Sequence, residues 1–297
     1  MKYIHPASIA DAQLVSSSVP ETDYAAWAAA TAYSVGNRVI RTSTHRIYER
    51  LVAGTTATAP ESDAVNWVDI GPTNRWAMFD KSVGTLTTVS TPLTVTLNPG
   101  QIFEGLALLD LDCESVTVTA TVSGTTVYSA TLAPVLDTTP IIDWYSYFFE
   151  TIARRRTVVL TDLPPYAGMQ ITIVIAASTG TVSCGTCVVG RVYDLGNTLY
   201  GAQVGIVDYS QKTTNAFGAT TVTQRAYAKR MSARMALESS AMDRAVTRLS
   251  AVRAVPVVWI GSEDIESTVI YGFYKDWGVD LALPSVYYCS ITVEGLV

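Results

Sequence analysis

The residues able to do chemistry are few and scattered. Two histidines, His5 and His45, are the whole supply of imidazole in 297 residues, thin material for His-based acid–base work or a His-rich metal site. Cys184-Gly185-Thr186-Cys187 has the two-residue spacing at which a tight turn aims both sulfurs at one atom, as in a zinc knuckle or a redox pair. Cys113 and Cys289 are the remaining thiols, and neither belongs to a second close pair. A structural turn within alternating Thr/Val sequence is therefore the simpler reading, and no metal is expected. Asp110, Asp112 and Glu114 alternate, which on a strand would put three carboxylates on one face, to gather a hard cation or to line a solvated rim. No Gly-containing loop of alternating acids accompanies them. Asp137 and Asp143 are the nearest approach to a glycosidase pair. GxSxG, HExxH, GxxxxGK[ST] and GxGxxG are all missing. The expectation is a non-enzymatic chain with no catalytic residues and no cofactor.

Positive charge is concentrated in two places. Arg154-Arg155-Arg156 is one; the other is the run Arg225, Lys229, Arg230, Arg234, Arg244, Arg248 and Arg253, opposed between residues 224 and 254 only by Glu238 and Asp243. Arg244 and Arg248 are four apart and share a helical face. Arg225, Lys229, Arg230, Arg244 and Arg248 are candidates for docking an acidic partner subunit, the alternative being a solvated helix face. Nucleic acid is not an expected partner, because the net charge is -6 and no recognised nucleic-acid-binding signature accompanies the basic run.

These residues sit on a mainly β chain. Residues 1–22 lack sustained periodicity and read as an N-terminal arm that becomes ordered only against another surface. Residues 23–72 carry Trp27, Tyr33, Tyr48 and Trp67 among short strand-length runs, a small β module whose core must rely on aromatic side chains. Residues 80–190 alternate Thr, Val, Leu and Ile with period two, broken by turns such as Asn98-Pro99-Gly100 and Ser123-Gly124. This predicts a β-sandwich of jelly-roll type. Residues 191–297 read as an α+β unit: a strand from Ala219 reaching toward Leu237, a helix over 240–254 capped by Ser240 and Asp243 and ended by Pro256, then three strands.

Composition bears on partners. The chain is 48% hydrophobic but only 15% charged, against about 25% in an ordinary soluble domain, so the surface is poor in groups that keep copies apart. A homo-oligomer is expected. Apolar runs such as 171–177 and 255–260 are far shorter than the ~20 residues of a spanning helix, and the start lacks a signal-peptide core, so neither a membrane span nor secretion is expected.

One resemblance adds to this. Trp27, then Tyr33-Ser34-Val35-Gly36-Asn37-Arg38-Val39, Ile47-Tyr48-Glu49, Pro60 and Trp67-Val68 resemble the chitin-binding-type carbohydrate-binding module of bacterial chitinases and phage tail proteins. The likeness marks Trp27, Tyr33, Tyr48 and Trp67 as carbohydrate-binding candidates. Chitinase modules usually carry exposed Trp residues just after the strand that here ends in Leu51-Val52, so sugar binding should be weak or redirected. The run Gly71-Pro72-Thr73-Asn74-Arg75-Trp76-Ala77-Met78-Phe79-Asp80, then Asp208-Tyr209-Ser210, Arg225-Ala226-Tyr227-Ala228-Lys229-Arg230 and Tyr271-Gly272-Phe273-Tyr274-Lys275-Asp276, is similar to structural proteins of tailed-bacteriophage virions. The resemblance implies a tail-associated subunit (baseplate, collar or fibre attachment), made in the host cytoplasm and assembled with other virion proteins in a homo-oligomeric ring. The alternative it implies is a receptor-binding protein that contacts a host-surface glycan.

Overall fold

A computed structural model describes residues 1–132, 136–137, 142–149, 153–263, 265–281 and 283–296. With 49% strand against 10% helix the chain is mainly β, and among the described residues only one helix reaches seven residues. No helix among the described residues is long and apolar enough to cross a membrane.

The largest element is a curled, half-barrel sheet of ten antiparallel strands. Its order is Val158–Leu160, Gly105–Leu109, Thr186–Asp194, Lys2–Pro6, Val257–Ile260, Val269–Asp280, Val286–Gly295 and Tyr227–Glu238. Asn197–Thr198 and Gln203–Asp208 share the outer edge of the last of these. Alternation gives the sheet two apolar faces. Tyr3, Tyr193 and Trp259 lie side by side on one, while Ile4, Val188 and Val258 form a cluster on the other.

The Tyr3 face holds two cores. At one end Leu106, Leu108 and Val189 pack against a five-stranded antiparallel sheet, ordered Thr125–Leu132, Ser115–Val122, Gln170–Ala176, Leu93–Leu97, Leu14–Ser17. Period-two sequence builds this second sheet: Val116, Val118 and Ala120, like Ile171, Ile173 and Ile175, point inward, and the intervening Thr residues outward. At the other end the helix Met242–Ala251 lays Ala245 and Leu249 on a core containing Tyr3, Met235 and Trp259.

Several expectations are corrected here. Residues 1–22 are no free arm. Lys2–Pro6 is a central strand hydrogen-bonded on both sides, and Leu14–Ser17 closes the five-stranded sheet. Weak periodicity hid the first strand because it is buried on both faces and so carries no polar alternation. A boundary at 190/191 also fails, since Thr186–Asp194 runs unbroken across it and pairs with elements from both proposed units. Gly190 shows how close that packing is: a Cβ there would lie 1.8 Å from the His5 carbonyl oxygen. The strand expected from Ala219 is two elements, Thr220–Thr223 and Tyr227–Glu238. Ser240 and Asp243 do not cap the helix; its N-cap is Ala241, preceded by a 3-10 turn, and it ends at Ala251, short of Pro256.

Candidate functional site

The module forms around a three-stranded sheet, Arg38–Arg41, Arg46–Arg50 and Trp67–Pro72. Val39, Tyr48 and Trp67 are its buried core, with Trp27 and Tyr33 packed against them. Tyr33 meets Trp67 edge-on at 5.1 Å, the guanidinium of buried Arg50 covers the Trp67 ring at 4.9 Å, and Arg41 covers Trp27 at 5.0 Å. The structure thus brings the four carbohydrate candidates together, but as a core. With Trp67 and Tyr48 only 2% and 5% exposed, neither offers a ring face to a sugar. A unit of some 50 residues needs its largest side chains inside. Leu51 and Val52, where stacking rings are expected, are exposed and aliphatic.

The module is inserted into the body at a polar joint that sequence reasoning missed. Glu21 at its entry accepts a hydrogen bond from the Thr73 hydroxyl at its exit, 3.0 Å away. His45, at the tip of a module hairpin, faces Glu21 with Nδ1 at 3.0 Å and Asp11 with Nε2 at 3.2 Å, and stacks on Trp76 with ring centroids 4.0 Å apart. A cavity of about 560 Å³ opens beside it, lined also by Phe79 and Asp80. Burial pushes the Asp80 carboxyl above its usual value, and its Oδ2 has no hydrogen-bond partner among the described residues. With both ring nitrogens facing carboxylates, His45 ties the module to the body. The available signal was Trp76 and Asp80, which lie in the run 71–80 just after the module.

The basic candidates do not converge. Arg225 sits at the root of a projecting hairpin, where its Nη2 donates to Gln211 Oε1 at 2.7 Å. Lys229 lines a cleft beside Tyr271 and Leu296, and Arg230 acts on Glu294, helping to hold that carboxyl low. Arg244 and Arg248 line another depression next to Asp194, with Arg248 over the Tyr193 ring at 4.8 Å.

The remaining motifs resolve individually. Asp110 leaves the extended conformation at φ 53°, and Glu114 accepts two hydrogen bonds from Ser178, so the three acids form no common face. Among the described residues, no three His, Cys, Asp or Glu side chains gather as metal ligands. The Cys184–Cys187 turn is where one extended segment changes partners, from Thr87–Ser90 to Gly105–Leu109. A Cβ at Gly185 would fall 2.8 Å from that of Asp110, which explains the glycine. All four cysteines are buried; burial raises Cys187 to about 12, Cys289 to about 11 and Cys184 well above the ordinary thiol value. Asp143 Oδ1 accepts the Ser146 N–H at 2.7 Å as a helix cap, and that hydrogen bond lowers its pKa. The Asp137 and Arg154 side chains lie outside the described residues.

Two exposed features stand out instead. The helix Trp144–Phe149 buries only Ser146. Ile142, Trp144, Tyr145, Tyr147, Phe148 and Phe149 are 61–86% exposed. Between Tyr209 and Ala226 a hairpin projects, its strands Gln211–Thr214 and Thr220–Thr223 exposed at every position, with Phe217 at the tip 97% exposed.

Compared with protein-family models, curated proteins and solved structures, the chain matches none.

Proposed function

We propose that this chain is a non-enzymatic structural subunit of a tailed-phage virion, placed at the tail (baseplate, collar or fibre attachment) and working as a homo-oligomer among other virion proteins. The observation that carries the assembly part is the aromatic helix. Five large apolar side chains on one short helix and Ile142 just before it, each more than 60% exposed, are a surface that a soluble protein keeps only where something covers it. The virion part rests on the resemblance of residues 71–80, 208–210, 225–230 and 271–276 to phage structural proteins. In this reading the jelly-roll-like sandwich is a scaffold and the inserted module is displayed outside it. Arg225, Lys229, Arg230, Arg244 and Arg248 then serve separate contacts rather than one acidic partner.

The alternative, a receptor-binding protein that grips host polysaccharide, would place its sugar platform on exposed rings such as Trp144 and Tyr145, or Tyr24 on the module, in place of the buried Tyr48 and Trp67. Two experiments separate the readings. Immunogold labelling of particles of the encoding phage should decorate the tail, and unlabelled particles would refute the virion reading. A Trp144→Ser, Phe148→Ser chain should fail to enter particles; normal entry with lost adsorption to host cells would favour the receptor-binding reading.

A further inference from the structure

We infer that Arg50 is an anion receptor in the inserted module, its guanidinium taking the carboxylate of a ligand at the open side of Gly54. The inference goes beyond the assembly reading and does not depend on it. It begins with an imbalance of charge. Residues 23–72 hold four arginines, Arg38, Arg41, Arg46 and Arg50, and five acids, Asp23, Glu49, Glu61, Asp63 and Asp69. The strands share them out. Arg38 meets Glu49 at 2.7 Å, Arg41 meets Glu61 at 2.7 Å, and Arg46 meets Asp69. The other two acids are engaged as well, Asp63 by the Asn66 side-chain amide at 2.8 Å and Asp23 by the Asn74 N–H at 3.3 Å. Arg50 is left without a carboxylate, although at 1% exposed it is the most deeply buried of the four.

A buried guanidinium with no counter-charge is costly, and an anion that reaches it relieves that cost. Arg50 Nε and Nη1 are shielded from solvent and have no hydrogen-bond partner among the described residues. The same holds for Nε1 of Trp67, whose ring lies 4.9 Å from the guanidinium carbon. The ring face offsets part of the charge but does not replace an oxyanion. Water can accept the hydrogen bonds, yet it brings no negative charge.

The way in is at Gly54. Where a Cβ would stand on that glycine the space is open, and the one atom within 4 Å beyond the adjoining residues is Arg50 Nη2, at 3.8 Å. Leu51, Val52, Ala53 and Thr55 around it are exposed. Nη2 shares one fork of the guanidinium with Nε and the other with Nη1, so an oxyanion that reaches Nη2 gains a second bond from either nitrogen. The other three arginines of the module each take a carboxylate, and the fourth fits the same group.

Ligand-observed saturation-transfer NMR on the full chain tests this with acetate, the carboxylate alone, with glucuronate, the same group on a sugar, and with glucose, which has none. Acetate and glucuronate should both receive saturation, and glucose should not. Equal affinity for the two acids makes the carboxylate the whole of what is read; glucuronate binding about tenfold tighter or more makes a sugar acid the source. Arg50→Met should weaken both signals at least about tenfold. If Arg50→Met does not fold, Arg50→Lys, which keeps the charge and loses the fork, takes its place and should weaken them in the same direction. No transfer to either acid from the wild type, transfer to glucose as strong as to glucuronate, or an unchanged signal in the folded variant overturns the anion site and leaves the assembly reading standing.

Discussion

Single residues decide where this fold tolerates no change. Gly190 and Gly272 face neighbouring backbone, their absent Cβ atoms only 1.8 Å from His5 O and 2.1 Å from Glu294 O. Gly190→Ala must push two sheet strands apart, so a loss of about 3 kcal/mol or more is expected in urea unfolding. Trp259 is fully buried and its Nε1 donates to the Gly272 carbonyl at 3.1 Å; Trp259→Ala should cost about 3–5 kcal/mol by the same measurement. Cys184, Cys187 and Cys289 should be inert in the native chain, because buried sulfurs with raised pKa values present no thiolate; their labelling by a disulfide reagent should appear only on denaturation. Glu294 has the opposite sign. Bonds from Lys275 and the Tyr209 hydroxyl hold its carboxyl below the ordinary value. Its contribution is complete above the unfolded glutamate pKa of about 4.3 and is lost as pH falls through the lower folded value. Glu294→Gln should therefore flatten the urea midpoint against pH on the acid side. Residue types and spacing were enough to group Trp27, Tyr33, Tyr48 and Trp67, but spacing does not say whether an aromatic cluster faces inward or outward. Module size decides that, and it favours the core.

At the scale of elements, the least legible strand matters most. Lys2–Pro6 bridges Thr186–Asp194 and Val257–Ile260, so it joins halves of the chain that look like separate units in sequence. Deleting residues 1–6 should abolish cooperative unfolding, a result that circular dichroism would show and that a dispensable arm would not give. The module behaves differently. Its entry and exit meet at Glu21 and Thr73, so replacing residues 23–71 with a short Gly-Ser linker should leave the body's unfolding transition in place. Half-buried strands such as Gln170–Ala176 were readable because their Thr/Ile alternation records one wet and one dry face. Of the projecting hairpin only the Thr220–Thr223 strand was read, run on into Tyr227–Glu238; its partner Gln211–Thr214 was not, since a strand exposed on both sides carries no such record.

For the whole molecule, low charge, the aromatic helix and the hairpin all concern surface that one copy leaves uncovered. The curled sheet explains how: it gathers strands from both ends of the chain into one continuous sheet, from which the hairpin bearing Phe217 projects. Mainly β architecture was legible from period-two runs; its continuity across residue 190 was not, because pairing between distant strands leaves no local mark in sequence. The central claim is that this body is built to be a subunit. Sedimentation equilibrium of the purified chain across a hundredfold concentration range tests it most directly: the account predicts a mass that is an integer multiple of 31.9 kDa, and a monomer throughout would contradict it.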